Sequence, residues 1–246
     1  MRAPLDLGLY LVADVRVCAE RGVQATVAAA VTGGVTAVQL RDRAASTRSM
    51  YESARGLLEV LAGTGIPLIV NDRLDVALAA GAAGVHLGQS DLPPAEARRI
   101  AGADLVIGWS VTDEAQAQQA AAMPAGTVDY LGAGPVFATA TKPDAAQPIG
   151  IDRLRGIVTR STLPIVAIGG IDPGNAGAVG TTGVAGIAVV SAICAAPDPA
   201  AAAGELVAAA WPAGEDASQA PAGRGLRPAP AGLRAPTADM RGRARS

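Results

Sequence analysis

Short runs of aliphatic and β-branched residues recur along the chain, about 20 to 30 residues apart, and more polar segments separate them. The runs predict eight strands, at residues 8–14, 37–41, 67–72, 84–88, 105–110, 130–134, 164–170 and 186–191. The clearest helix signal lies at residues 46–63, which open on a capping serine or threonine and close on glycine. The pattern therefore predicts strands that alternate with helices.

This alternation favours a parallel sheet, because consecutive parallel strands need a long connection and a helix fills it here. The sheet is either a closed barrel or an open doubly wound one. The count of eight strands, the chain length and the similar glycine–alanine joints at residues 79–88 and 181–191 favour the barrel. We therefore expect an α/β protein with the (β/α)8 TIM-barrel fold.

The composition changes past Trp211, where proline, alanine, glycine and arginine leave too few bulky apolar residues to bury a core. The sequence thus predicts one barrel domain over residues 1–211 and a disordered tail over residues 212–246. The tail arginines are able to contact RNA or an acidic partner. A solvated tail without a dedicated function is the simpler interpretation.

Charge and hydrophobicity narrow the class of protein further. The chain has 246 residues, half of them hydrophobic, and a formal net charge of -2, so no global positive field draws it to nucleic acid or to an anionic membrane. Two long uncharged windows, Val23–Leu40 and Pro173–Ala196, are interrupted by polar and glycine positions and are interpreted as helix–strand units. We expect neither a nucleic-acid partner nor a membrane span.

The two cysteines, Cys18 and Cys194, are too few for a disulfide framework or a tetrahedral zinc site. Asp6 and Asp14 interrupt the apolar run that a secretory signal requires. Both observations favour the cytoplasm.

Polar residues gather at the carboxyl ends of the predicted strands, where a TIM barrel builds its active site. In chain order they are Gln39 to Arg43, Asn71, Asp72, His86 to Asp91, Ser110, Thr139, Thr141, Lys142, Gly169, Gly170, Val190 and Ser191. For each one alone, a helix cap or a solvated rim residue is the simpler explanation. Their common position at one end of consecutive strands predicts a site.

The charges in this set indicate two kinds of ligand. Arg41, Arg43 and Lys142 are three cations at one rim, which suits a group with several negative charges such as a diphosphate. Asp72 and Asp91 are hard oxygen ligands at neighbouring strand ends, which suits Mg²⁺ bridging phosphate oxygens.

A second, smaller anion site is predicted at the ends of the last two strands. Gly169 and Gly170, with the backbone amides of Val190 and Ser191, occupy the usual position of a barrel phosphate site. A glycine pair is also typical of an ordinary tight turn. Two phosphorylated pieces on one face imply a reaction that joins or splits them.

No nucleophilic triad is evident in the sequence. His86 is the only histidine, so a Ser-His-Asp or Cys-His mechanism lacks parts. A histidine inside an apolar strand is more often a core residue with satisfied hydrogen bonds, and that is our interpretation of His86.

With these residues in view, the chain resembles the thiamine-phosphate synthase family between about Gly8 and Ala196. The resemblance rests on seven motifs in the family's order: Q-L-R-D-R, V-N-D, H-L-G-Q-S-D, G-W-S, G-P-V-F-A-T-A-T-K, A-I-G-G-I and V-V-S. The family joins 4-amino-2-methyl-5-(diphosphooxymethyl)pyrimidine to a hydroxyethylthiazole phosphate, carboxylated in one form, and releases diphosphate. The resemblance implies a transferase of thiamine biosynthesis.

The resemblance also implies a role for each site residue. Gln39 binds the pyrimidine within the segment that includes Leu40 and Asp42. The diphosphate ligands are Arg41, Arg43, Asn71, Ser110 and Lys142, of which Arg41, Ser110 and Lys142 are assigned as catalytic. Thr139, Ala140 and Thr141 face the thiazole, and Gly170, Val190 and Ser191 hold its phosphate. Asp72 and Asp91 are the Mg²⁺ ligands.

By the same resemblance the mechanism is dissociative and needs no enzyme nucleophile, and the loop after Gly134 covers the reaction centre. The partners are two small phosphorylated substrates, and a homodimer is a family-level expectation. Where the family commonly has Q-L-R-E-K, this chain has Q-L-R-D-R. The charges are kept, but a planar guanidinium replaces an ammonium at Arg43.

Three alternatives remain open at this point. One is a thiazole tautomerase or regulator-like relative, which keeps the barrel and the phosphate site but lacks the diphosphate residues. Another is a sugar-phosphate epimerase or lyase, which needs an acid–base pair or a Schiff-base lysine buried in a strand. The third is a nonenzymatic binding module that uses the tail.

Overall fold

The computed structural model describes residues 5–139 and 147–212, which form a closed barrel of eight parallel strands paired in chain order. The strands are β1 (Leu9–Asp14), β2 (Ala37–Arg41), β3 (Leu68–Asn71), β4 (Gly84–Leu87), β5 (Val106–Val111), β6 (Tyr130–Ala133), β7 (Ile165–Ile168) and β8 (Gly186–Val189). Pairing of β8 with β1 closes the ring. The eight strands and the barrel predicted from the sequence are confirmed.

Helices connect the strands on the outside of the barrel. Within the described ranges they are α1 (Val15–Cys18), α2 (Val23–Thr32), α3 (Thr47–Leu61), α4 (Leu74–Ala80), α5 (Pro94–Ala101), α6 (Glu114–Ala121), α7 (Gly150–Arg160), α8 (Ala176–Gly180), α9 (Ser191–Cys194) and α10 (Pro199–Ala210), with a 3-10 turn at Ala19–Arg21. The helix predicted at residues 46–63 is α3, and the hydroxyl of Ser46 caps it by accepting from the Ser49 amide at 3.2 Å.

The apolar residues form two layers separated by the strands. The larger layer lies between the strands and the helices and includes Val38 and Leu40 of β2. The smaller layer fills the barrel and includes Ala37 of the same strand. Because side chains alternate along a strand, Gln39 and Arg41 share the inner face with Ala37. This alternation carries the polar residues of β2 toward the mouth of the barrel.

The remaining sequence predictions concern the long uncharged windows, the cysteines and the tail. The window Val23–Leu40 contains α2 and β2, and Pro173–Ala196 contains α8, β8 and α9, as predicted. None of the described helices is long and apolar enough to cross a membrane. Residues 213–246 of the predicted tail lie outside the described residues.

Cys18 and Cys194 are both buried as free thiols. The hydrogen bond between them lowers the pKa of Cys18, whereas the same bond together with burial raises the pKa of Cys194. The pair therefore belongs to the packed layer around α1 and α9.

Candidate active site

The carboxyl ends of β1 to β5 bring most of the predicted site residues to one rim. Arg41 ends β2 and is level with Asp14 at the end of β1. Asn71 ends β3 and is level with His86 of β4, and Ser110 follows two strands further on. The parallel register thus places these residues side by side, as the strand endings in the sequence predict.

Arg41 forms an ion pair with Asp14, a residue that the sequence reasoning did not assign to the site. The Arg41 and Asp14 side chains are only 13% and 8% exposed. The Asp14 carboxylate also accepts from the Arg16 amide at 3.0 Å, which fixes the carboxylate at the start of α1. Its position as the acidic last residue of the first strand was the signal available in the sequence.

Asp72 and Asp91 meet at the ends of β3 and β4. Asp72 has a left-handed backbone with φ of 63°, and its amide donates to the His86 carbonyl at 2.8 Å. The Asp91 carboxylate accepts from the Gly88 amide at 2.7 Å, so the loop after β4 turns this side chain back toward the rim. The two carboxyl groups are close enough that Asp91 raises the pKa of Asp72.

This proximity alters the acidity of Asp72. Burial raises its pKa to about 6, with further contributions from the hydrogen bond and the negative charge of Asp91. The positive charge of Arg43 and the side chain of the adjacent Asn71 oppose the shift. The structure therefore gathers two acids, an amide and a cation at one point of the rim.

Among the described residues no group of three or more His, Cys, Asp or Glu side chains forms a metal cluster. A pair of carboxylates is nevertheless a donor set that suits Mg²⁺, which usually keeps several waters and binds through one or two carboxylates together with substrate phosphates. Asp72 and Asp91 fit that requirement.

Gln39 and Ser110 both take part in hydrogen bonds inside the barrel. The Gln39 amide donates from Nε2 to the Tyr10 hydroxyl at 3.0 Å, and Ser110 Oγ lies 2.9 Å from Nε2 of His86. Burial lowers the pKa of His86 to about 4, opposed by the charge of Asp91, so the ring is neutral at pH 7. The sequence predicted His86 as a core residue with satisfied hydrogen bonds. It did not predict that one of these bonds is to Ser110.

Tyr10 and Tyr130 are two further residues that the sequence reasoning missed. Both are buried inside the barrel, with ring centroids 5.9 Å apart in an edge-to-face arrangement. Their phenol groups sit inside otherwise apolar strands, and this placement was the only signal in the sequence.

The other members of the 39–43 segment are placed differently. Leu40 is fully buried in the layer that faces the helices, so its side chain points away from the barrel mouth. Asp42 is half-buried and accepts from the Ala44 amide at 3.1 Å, whereas Arg43 is exposed. The Leu40 side chain is therefore not available to a ligand at the mouth of the barrel.

The loop after β6 is held against the end of β7. The amides of Val136 and Phe137 donate to the carbonyls of Ile168 and Gly169 at 2.9 and 3.0 Å. Gly170 has φ of 63°, and a Cβ there would lie 2.5 Å from the Ala138 carbonyl oxygen. Only glycine allows this approach, which brings half-buried Thr139 close to the Gly170 turn.

The remaining predicted residues lie on either side of this turn or beyond the described ranges. Val190 follows β8 and is half-buried, and Ser191 begins α9 and is exposed. Ala140, Thr141 and Lys142 lie outside the described residues.

Comparison with known proteins identifies the family. Residues 9–193 match the family model described as thiamine monophosphate synthase. The chain belongs to this family. It is therefore an enzyme, a transferase that makes thiamine phosphate.

Individual relatives of the thiamine monophosphate synthase family agree along almost their whole length. A thiamine-phosphate synthase of Azorhizobium caulinodans is 53% identical over 206 residues, which cover 84% of this chain and 96% of that protein. One of Chloroflexus aurantiacus is 52% identical over 202 residues, covering 82% and 92%.

Solved structures agree as well. A thiamine phosphate pyrophosphorylase from Pyrococcus furiosus superimposes with a TM-score of 0.75 at 42% identity, covering 84% of this chain and 96% of that one. A 3-hexulose-6-phosphate synthase, with a TM-score of 0.57 at 20% identity, covers 82% of this chain and 99% of its own and shares the fold alone.

Proposed function

We propose that the barrel rim joins 4-amino-2-methyl-5-(diphosphooxymethyl)pyrimidine to the hydroxyethylthiazole phosphate and releases diphosphate. The observation that carries the proposal is the pair of carboxylates, Asp72 and Asp91, that the ends of β3 and β4 turn toward one point of the rim. Two adjacent acids repel each other when both are ionised, and a bound divalent cation removes that repulsion. A diphosphate substrate needs such a cation at its oxygens.

Mg²⁺ fits this position because both ligand groups are hard carboxylate oxygens. Asp72 and Asp91 would hold the ion, which when bound would neutralise charge on the departing diphosphate. Asn71, which lowers the pKa of the neighbouring Asp72 carboxyl, binds the diphosphate beside the ion, as the family resemblance implies.

The diphosphate is bound by cations and a hydroxyl at the same rim. Arg41, Arg43 and Lys142 counter its negative charge, and Ser110 donates a hydrogen bond to it. As the bond between the methylene carbon and the diphosphate oxygen breaks, the exocyclic amino group of the pyrimidine supplies electrons to that carbon, and the thiazole nitrogen then forms the new carbon–nitrogen bond to it. Arg41, Ser110 and Lys142 then stabilise the charge that develops on the leaving group, so no enzyme nucleophile is required.

The two organic pieces occupy neighbouring parts of the rim. Gln39 orients the pyrimidine, supported by the turn of residues 40–43. Thr139, Ala140 and Thr141 contact the thiazole, while Gly170, Val190 and Ser191 hold its phosphate. The contact of the β6 loop with the Gly170 turn supports this assignment, because it brings the two thiazole segments together. Holding both substrates in line contributes to the rate by itself.

Measurement of diphosphate release with both substrates tests the proposal. Asp91→Asn removes one charge from the carboxyl pair, and we expect the Mg²⁺ concentration for half-maximal rate to rise at least tenfold. Asp104→Asn is the matched control, because Asp104 is an exposed acid that precedes β5 at the opposite end of the barrel. An unchanged Mg²⁺ dependence in Asp91→Asn would remove Asp91 from the metal site.

The domain division and the setting of the enzyme belong to the same proposal. Residues 1–211 carry the activity and residues 212–246 do not contribute to it. The two free thiols suit a reducing cytoplasm. A homodimer stays a prediction from the family resemblance, and sedimentation of the full chain tests it.

A further inference from the structure

A continuous chain of hydrogen bonds crosses the inside of the barrel from Gln39 to Ser110. Gln39 donates to Tyr10 at 3.0 Å, the hydroxyls of Tyr10 and Tyr130 lie 2.8 Å apart, and the Tyr130 hydroxyl lies 3.0 Å from Nδ1 of His86. His86 Nε2 completes the chain at 2.9 Å from Ser110 Oγ. The chain thus joins two residues that the proposed function assigns to one substrate.

The chemistry of the first member gives this chain a direction. The Gln39 Nε2 group only donates, so Tyr10 accepts from it and its own proton is directed to Tyr130. Tyr130 then donates to Nδ1 of the neutral His86 ring. A neutral imidazole with an acceptor at Nδ1 carries its proton on Nε2, so His86 donates to Ser110.

If the hydrogen bonds ran in the opposite direction, from Ser110 to Tyr10, the Tyr10 hydroxyl proton would be unsatisfied. If Ser110 donated to His86, Tyr10 would receive protons from both Gln39 and Tyr130. Among the described residues the Tyr10 hydroxyl bonds to these two alone, so its own buried proton would lack an acceptor. Such a group is unfavourable in a barrel interior.

Glycines of β5, which pairs with β4, and of β6, the next strand, make room for the chain. A Cβ on Gly108 of β5 would overlap the Tyr130 ring and lie 2.5 Å from Nδ1 of His86. A Cβ on Gly132 of β6 would lie 3.0 Å from Cε1 of the same imidazole. Glycine at both positions therefore allows the imidazole to sit between Tyr130 and Ser110.

We propose that His86 is a positioning residue that acts through Ser110. By donating from Nε2 it occupies an acceptor site of the Ser110 oxygen and turns the Ser110 hydroxyl proton toward the departing diphosphate. Tyr10 and Tyr130 hold His86 in the required tautomer and tie its orientation to that of Gln39. The inference rests on the proposed role of Ser110 as a donor to the diphosphate.

The tautomer is directly measurable because His86 is the only histidine in the chain. In full-length protein labelled with ¹⁵N-histidine, correlation spectra at pH 7 should show a neutral ring with its proton on Nε2. Tyr130→Phe removes the donor to Nδ1 and should introduce the other tautomer. A proton on Nδ1 in the unaltered protein would overturn the inference, whatever the activity of the enzyme.

Kinetics of four variants test the action through Ser110. We expect His86→Leu to lower kcat by about 10- to 100-fold, toward the loss of about 10² to 10³ typical of removing one donor to a developing anion. His86→Gln keeps a donor after the same number of bonds from Cβ and should restore most of the rate. The double variant His86→Leu/Ser110→Ala should be no slower than Ser110→Ala, because the two residues act as one unit.

The outcomes separate this inference from the proposed function. If Ser110→Ala slows diphosphate release but His86→Leu does not, or if the two losses multiply, the positioning role fails while the function stands. If Ser110→Ala and Asp91→Asn both leave the rate unchanged, the proposed residue roles themselves fail. Should His86→Leu not fold, as judged by circular dichroism, Tyr130→Phe takes its place, and an unaltered kcat together with an unaltered tautomer would then overturn the inference.

Discussion

The carboxylate of Asp14 pairs with the guanidinium of Arg41 where β1 and β2 end side by side at the barrel mouth. Both side chains are largely buried, so the pair holds Arg41 in one orientation at the rim. The guanidinium that we propose for binding the diphosphate is thereby fixed in position before the substrate arrives.

Asp14→Asn should weaken binding of the pyrimidine diphosphate. The change keeps an oxygen for the Arg16 amide but removes the charge that orients Arg41. We expect KM for this substrate to rise about tenfold, which corresponds to about 1.4 kcal/mol, with a smaller change in kcat. Glu96→Gln, which breaks the exposed pair with Arg99, is the control and should leave KM unchanged. Equal KM values in the two variants would contradict the role of Asp14.

Asp72→Asn should raise the free energy of unfolding of the metal-free protein. It should also make the stability of the protein independent of Mg²⁺. Because burial and Asp91 raise the pKa of Asp72 from 3.8 to about 6, the folded state binds more protons than the unfolded state between these values. The cost of the ionised carboxyl is complete above pH 6 and disappears as the pH falls toward 4. At pH 7 the variant should gain about 1 to 2 kcal/mol, or about 3 to 6 °C in Tm.

Thermal unfolding in the presence of a chelator, at pH 7.5 and at pH 4, checks this prediction. The gain in Tm should be present at the higher pH and absent at the lower one. A variant less stable than the parent at pH 7.5 would show that Asp72 is stabilising in the folded protein and would contradict the prediction.

Lys142 is the only lysine in the chain, so amine-selective labelling reports on it alone besides the amino terminus. If Lys142 contacts the leaving group, diphosphate with Mg²⁺ should protect it from reductive methylation by at least tenfold. The amino terminus serves as the internal control and should react at an unchanged rate. In parallel, Lys142→Ala should lower kcat by about 10² to 10³. Labelling that ignores diphosphate would place Lys142 away from the leaving group.

Gly108→Ala should destabilise the barrel by forcing apart the Tyr130 and His86 rings. Insertion of a methyl group into a packed interior typically costs about 1 to 3 kcal/mol, which Tm measures. Gly204→Ala is the control, because Gly204 lies in α10 with its nearest neighbouring atom 3.9 Å from an added Cβ. That control should be neutral or stabilising by up to about 1 kcal/mol. Similar Tm losses in both variants would contradict the packing argument.

The fold was predictable because its signals are local. Alternating strand and helix patterns, with caps such as Ser46, give the element order, and the parallel connection rule leaves few topologies. The observed strands begin and end within about two residues of the predicted ones. Closure of the ring was predicted from the count of eight strands, the chain length and the similar glycine–alanine joints together.

The candidate site was predictable only for residues that met two conditions, a polar or charged side chain and a position near the carboxyl end of a strand. Gln39, Arg41, Asp72, Asp91 and Ser110 met both conditions, and the structure brings them to one rim. Asp14 also met both conditions, but we interpreted it only as a charge that interrupts a secretory signal.

Tyr10 and Tyr130 met only the condition of residue type, not that of a position near the carboxyl end of a strand. They lie within strands, and their link to His86 depends on contacts across β1, β4 and β6 that no local pattern contains. The inner face of a barrel joins residues far apart in sequence, so these contacts required coordinates.

The placement of the proposed residues around the ring has a consequence for how the enzyme can change. The residues proposed for the pyrimidine diphosphate come from β2 to β5 and the loops after them, apart from Lys142, whereas Thr139, Gly170 and Val190 follow β6, β7 and β8. In this assignment donor and acceptor are served by opposite arcs of one circle, and only the segment after β6, which contains both Thr139 and Lys142, serves both. Substitutions after β7 and β8 are then free to retune the choice of acceptor without touching a residue of the leaving group.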